Sequence, residues 1–163
     1  LRWNRTIPSQ GEVTNDATVS GDEFHETIMD GAEHEAEKSS DWWRQIAAVL
    51  VKNGAIVASA HNEHLPDPHN PDVLGDPRSN YDAGERPDLY TSVHAEAGLI
   101  ADMAREGTAI EGTDLYVTTF PCSNCARLIA RAKIKRLFYR SGYSRVDAET
   151  VLRDAGVEII QVT

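Results

Sequence analysis

Cysteine is nearly absent from this chain. Cys122 and Cys125 are the only two thiols in 163 residues, too few for the disulfide framework of a small secreted domain. The compartment this usage implies is a reducing, cytoplasmic one. No apolar run reaches the roughly 18 residues that cross a bilayer, so no membrane association is expected. No secretory-leader pattern is visible, although the residues begin at Leu1 rather than Met. Basic residues are scarce as well: 16 Lys and Arg stand against 26 Asp and Glu, for a net charge of −10. A protein that binds phosphate backbones carries a basic patch or stripe. The longest basic stretch here, Arg131 to Arg136, reads as a helix C-terminus and the turn after it, where cations complement the helix dipole. Nucleic acid is therefore not the expected partner, and a small molecule is. What is present, 40% hydrophobic and 26% charged residues, suits one globular domain with a sizeable core. Residues 1–15 lack periodicity and read as an extension; residues 16–163 read as the domain.

The two cysteines stand in Pro121-Cys122-Ser123-Asn124-Cys125, and a histidine stands in Val93-His94-Ala95-Glu96. One imidazole and two thiolates make three protein ligands for zinc, with the fourth position open. Structural zinc sites use four protein ligands, whereas catalytic ones leave a place for water, which the metal makes acidic enough to act as a nucleophile. Glu96, two residues past His94, is placed to move protons rather than to bind metal. A redox C-x-x-C pair is the competing reading, but it accounts for neither His94-Ala95-Glu96 nor Pro121.

In chain order, Ser20 to about Ser39 reads as a helix, with Phe24, Ile28 and Ala32 on its apolar face and His25 and His34 facing solvent. Trp42 and Trp43 mark a break, and two adjacent tryptophans cannot share one helix face. Residues 46–51 and 55–60 read as a hairpin around Asn53-Gly54. Glu63 to about Thr91, rich in proline, reads as a long irregular segment able to roof a pocket; His64 and His69 within it are weak candidates for a second metal. Ser92 to Glu106 is a helix stopped by Gly107. Residues 115–119 form a strand, and the cysteines open a helix from Ser123 to about Lys133. A strand at 135–140, a helix at Val146 to Ala155 and a strand at 157–162 follow, the last two strands pairing in parallel.

With His94-x-Glu96 and Pro121-Cys122-x-x-Cys125 in place, the chain resembles the zinc-dependent cytidine deaminase superfamily, and within it the deoxycytidylate (dCMP) deaminase family. The resemblance covers about residues 41–162 and includes Ala48 to Gly54, Ala60-His61-Asn62, Gly112 to Thr118 and Cys125 to Ile129. It implies a three-layer α/β/α sandwich around a five-stranded mixed sheet in the order 2-1-3-4-5. It implies Zn2+ on His94, Cys122 and Cys125, proton transfer by Glu96, and a substrate lined by Asn62, Ala95, Pro121 and Tyr143, with Asn62 at the sugar. It also implies a homo-oligomer, for which Trp42, Trp43 or Phe138 could supply contacts. Two departures bear on the substrate. Gly-Tyr-Asn-Gly of the family is Ala60-His61-Asn62-Glu63 here, and the family's asparagine after the catalytic glutamate is Gly98.

The reaction so implied is hydrolysis at C4 of a cytosine ring, with Glu96 as base and then acid. The phosphate of a nucleotide would need a cation, for which Arg78, Arg86, Arg140 and Arg145 are the candidates. Deamination of another base, nucleoside or nucleotide stays open beside dCMP, as does a non-catalytic zinc domain, against which Glu96 argues.

Overall fold

The structure, a computed structural model, describes residues 18–41, 44–75, 77, 80–81, 86, 89–142 and 146–163. Its elements run β1 (Thr18–Ser20), α1 (Glu23–Ala36), β2 (Ala47–Lys52), β3 (Ala55–His61), β4 (Glu63–His64), α2 (Asn70–Leu74), β5 (Ser92–Val93), α3 (Ala95–Glu106), β6 (Asp114–Thr119), α4 (Ser123–Arg131), β7 (Arg136–Ser141), α5 (Val146–Asp154) and β8 (Glu158–Val162). The main sheet is mixed, in the order β1-β8-β7-β6-β2-β3. Its six strands correct the expectation of five. The run β3-β2-β6-β7-β8 is extended at the β8 edge by β1, which pairs in parallel through Thr18 and Ile160. Three residues are too few to show a period-two pattern, so β1 left no signal in the sequence.

Each strand alternates its side chains between two cores. Leu50, Leu115, Val117, Leu137 and Tyr139 face α3, α4 and α5, packing with Leu99, Met103, Ala126, Ile129 and Leu152. Val49, Val51, Tyr116, Phe138 and Ile160 face α1, packing with Ile28, Met29 and Ala32. The central strands are thus buried on both faces and read as unbroken apolar runs. β6, β7 and β8 are parallel, with α4 and α5 as crossovers on one face. That arrangement brings the C-terminal end of β6 beside the start of α3.

Local chemistry explains the boundaries. Asn53 and Gly54 both have positive φ, 53° and 78°, as a tight hairpin requires. Asp22 caps α1 by accepting from Phe24 N at 2.9 Å. Several expectations need correction. Phe24 is 43% exposed, because it lies in the first turn, beyond the core formed by Ile28, Met29 and Ala32. His25 does not face solvent. Its Nδ1 shares a 2.7 Å hydrogen bond with Tyr116 Oη, and its ring packs 4.3 Å from that of Phe138. Phe138 itself is fully buried, stacked on Tyr116 at 4.4 Å, so it is core and offers no subunit contact. Ser92 and Val93 form a strand instead of opening α3, because they pair with Glu63 and His64. The long segment also contains α2, with Pro71 in its first turn. Trp42, Trp43 and residues 1–15 lie outside the described residues.

Candidate metal centre

Two helix starts meet at one point. His94 is the N-cap of α3 and Cys122 that of α4. Cys125 and Glu96 lie in the first turns of the same two helices. Among the described residues, His94, Cys122 and Cys125 form the one group of three or more potential ligands, their donor atoms all within 4.8 Å of one another. His94 Nδ1 stands 3.5 Å from Cys122 Sγ and 3.5 Å from Cys125 Sγ. Zn–N and Zn–S bonds of about 2.0 and 2.3 Å, at a tetrahedral angle, place N and S about 3.5 Å apart. The donor set and its spacing therefore fit zinc with one position left over.

The electrostatics agree. The partial positive charge and free N–H groups of a helix N-terminus favour thiolates. Cys122 is held down to about 3, chiefly by the hydrogen bond from Cys125 and further by His94, against the opposing effect of burial. Cys125 is pushed up by that same bond and by its burial. In that hydrogen bond Cys125 donates and Cys122 accepts; on zinc both would be thiolates. Glu96 is only 3% exposed, and burial raises its carboxyl above the ordinary 4.5. It also interacts with Cys125, which places a buried proton acceptor against the metal ligands.

Packing holds the cysteine segment in place. Phe120 N donates to Ser141 O at 2.8 Å, so β6 stays joined to β7 up to Pro121. The chain then leaves β7 through Gly142, at φ +91°, where a Cβ would come within 3.0 Å of Thr119 Cγ2 and 3.3 Å of Phe120 N. Only glycine fits there. Sequence reading missed Gly142, although a glycine directly after a strand is a usable signal. It also missed Tyr90, whose ring lies 6.1 Å from that of His94. The two are four residues apart, but that spacing predicts contact only within a helix, and neither lies inside one.

The remaining anticipated residues divide. Ala95 and Pro121 are buried next to the ligands in sequence. Asn62 is buried, with its Oδ1 accepting from Ile46 N at 2.8 Å and its Nδ2 donating to Arg44 O at 2.8 Å. Tyr143, Arg78 and Arg145 lie outside the described residues. Arg140 projects to the α1 face, where it donates to Asp30 at 2.7 Å and Glu33 at 3.1 Å; strand alternation puts it on the far side of the sheet from the ligands. Arg86 lies over the Tyr81 ring at 5.5 Å. Among the described residues, His64 and His69 do not form a second metal group. His64 is 1% exposed, whereas His69 sits at the surface beside Asp72. Glu63 points outward as His64 points in. A Cβ at Gly98 would meet only Val93 Cγ1, at 3.8 Å, so packing does not demand glycine there.

The comparisons with known proteins point the same way. A family model described as the cytidine and deoxycytidylate deaminase zinc-binding region matches residues 22–141. Deoxycytidylate deaminase of Enterobacteria phage T2 is 28% identical over 159 residues, covering 77% of this chain and 84% of that protein. The Homo sapiens deoxycytidylate deaminase is 30% identical over 132 residues, covering 80% and 72%. The dCMP deaminase from cyanophage S-TIM5, solved in complex with dCMP and dUMP, superposes with a TM-score of 0.65 at 30% identity, covering 83% of this chain and 94% of that one.

Proposed function

The chain belongs to the family of cytidine and deoxycytidylate deaminases, and from that membership we propose that it hydrolyses dCMP to dUMP and ammonia. The observation that carries the reading is the meeting of His94, Cys122 and Cys125 at zinc-ligand spacing with buried Glu96 beside them. The relatives named as deoxycytidylate deaminases, and the cyanophage enzyme with its bound dCMP and dUMP, support the choice of substrate.

His94, Cys122 and Cys125 would hold a zinc ion, which would supply Lewis-acid activation of water. Glu96 takes the proton of that water on a carboxylate oxygen and delivers it to N3 of the cytosine ring. It then carries a second proton to the amine leaving C4. Water oxygen replaces nitrogen, and uracil and ammonia result. Its burial suits Glu96 to this exchange, because a raised carboxyl can give back the proton it has taken. Ala95 and Pro121 line the ring, and Tyr143 is assigned to the substrate on the family resemblance alone. Asn62 keeps one N–H and one lone pair for the sugar after its two backbone bonds. Arg140 is committed to α1, so the phosphate falls to the other arginines or to backbone N–H groups. Residues 16–163 act as one domain of a cytoplasmic homo-oligomer.

The experiment is ammonia release by zinc-loaded protein against dCMP, CMP, deoxycytidine, cytidine, dCTP and guanine. Turnover of dCMP well above the rest is expected. Preference for another member of the panel would overturn the substrate, and silence with zinc bound would overturn the activity.

A further inference from the structure

His64 stands at the foot of the long segment between β4 and β5, outside the metal group. Its ring is 1% exposed. Nδ1 shares a 2.7 Å hydrogen bond with Thr91 Oγ1, and Nε2 faces Asp41 Oδ2 at 3.7 Å. Asp41, itself buried, accepts from Arg44 N at 3.0 Å and donates from its own N to Ser39 Oγ at 3.2 Å. Ser39 Oγ in turn donates to Asn62 O at 2.7 Å. Ser39, Asp41, Asn62 and His64 are four of the seven buried polar side chains among the described residues. They gather where the approach to β2, the end of β3 and the start of β5 cross.

Burying such groups carries a desolvation cost that an apolar filling would avoid. What a polar cluster provides instead is direction, because hydrogen bonds are angular and apolar contacts are not. The direction is imposed at Thr91. Thr91 O accepts from Leu65 N at 3.0 Å, and the ladder continues through His64 with Ser92 and Glu63 with Val93. His94 follows at once. On the other side of Thr91, Tyr90 brings its ring towards that of His94. The backbone of residues 91–93 is thus paired with residues 63–65, and the buried His64 imidazole is bonded to Thr91 at the end of that ladder.

We propose that His64, set by Asp41 and bonded to Thr91, is a positioning residue for the metal centre: it fixes the backbone from which His94 reaches the two thiolates. The inference rests on the zinc assignment made above. Groups that orient a ligand typically contribute about 10–100-fold in metal affinity, and a site left loose by about an ångström loses function while still folding.

The test uses full-length His64→Gln, Thr91→Val and Thr91→Ser. Each is stripped of metal and titrated with Zn2+ against a chromophoric chelator, with thermal melts of the same preparations. Thr91→Val and His64→Gln are expected to weaken zinc binding by about tenfold or more. Thr91→Ser, which keeps the hydroxyl, is expected to bind zinc like the original chain. Thr91 lies at the surface, so its valine variant is expected to melt within a few degrees of the original and carries the test should His64→Gln fail to fold. Unchanged zinc affinity in a folded Thr91→Val, or failure of serine to restore it, would overturn the proposal. Failure of the unsubstituted protein to bind zinc would overturn the metal assignment and the proposal with it.

Discussion

His94 and Cys122 hold equivalent places in two different helices. Each is an N-cap in extended conformation, with φ −68° and ψ 147° at His94 and φ −70° and ψ 167° at Cys122. Neither side chain makes a capping hydrogen bond. Their backbone carbonyls open the helices, accepting from Gly98 N at 2.9 Å and Ala126 N at 2.8 Å. Most caps use the side chain to satisfy the helix's free N–H groups; here both side chains are released to meet at 3.5 Å.

Loss of one of these ligands should remove the metal. Cys122→Ala is expected to abolish stoichiometric zinc binding, measured by elemental analysis after gel filtration. With zinc at about 100 times its dissociation constant, the stabilisation lost is about 2.7 kcal/mol, equivalent to a fall in Tm of roughly 5–10 °C for a chain of this size.

Glu96 offers the opposite dissociation. Glu96→Gln is expected to bind zinc as tightly as the original chain and to lose about 10²–10⁴-fold in kcat. Steady-state rates beside a zinc titration check both halves. Near-normal turnover would remove Glu96 from the proton path.

The Glu35 carboxylate gives a prediction for pH. Burial pushes it up, but hydrogen bonds from Lys38 at 2.6 Å and with His61 at 2.9 Å outweigh that, and it rests below its ordinary 4.5. A depressed folded value means that its stabilisation is complete above 4.5 and is lost as pH falls through the folded value. Glu35→Gln should therefore cost about 1 kcal/mol at pH 7, roughly 2–4 °C in Tm. The gap between the two proteins should close in acid below the folded value. Melting curves across pH decide it, and a constant gap would refute the ion-pair account.

Gly142 carries a steric prediction. Gly142→Ala places a Cβ 3.0 Å from Thr119 Cγ2 at a φ of +91°, a conformation that costs about 1–3 kcal/mol for other residues. Phe120 must shift, and Pro121 and Cys122 with it. A lower Tm together with weaker zinc binding is expected, and chelator titration beside melting shows whether the two move together.

Sequence alone picked out the residues that gather at the candidate metal centre. His94, Glu96, Cys122 and Cys125 were legible because metal ligation depends on residue type and short spacing, both of which are local. The five long strands and four long helices were legible because hydrophobic periodicity and stop signals such as Asn53-Gly54 and Gly107 act within a few residues. Tertiary structure decided what depends on partners distant in the chain. β1 exists because β8 offers it an edge, and Ser92–Val93 is a strand because Glu63–His64 lies beside it. Arg140 became an α1 partner, His25 a partner of Tyr116, and His64 the buried neighbour of Asp41 and Thr91. Each of these pairs is separated by more than twenty residues, and a hydrogen bond forms only once folding has met the entropy cost of bringing its two ends together.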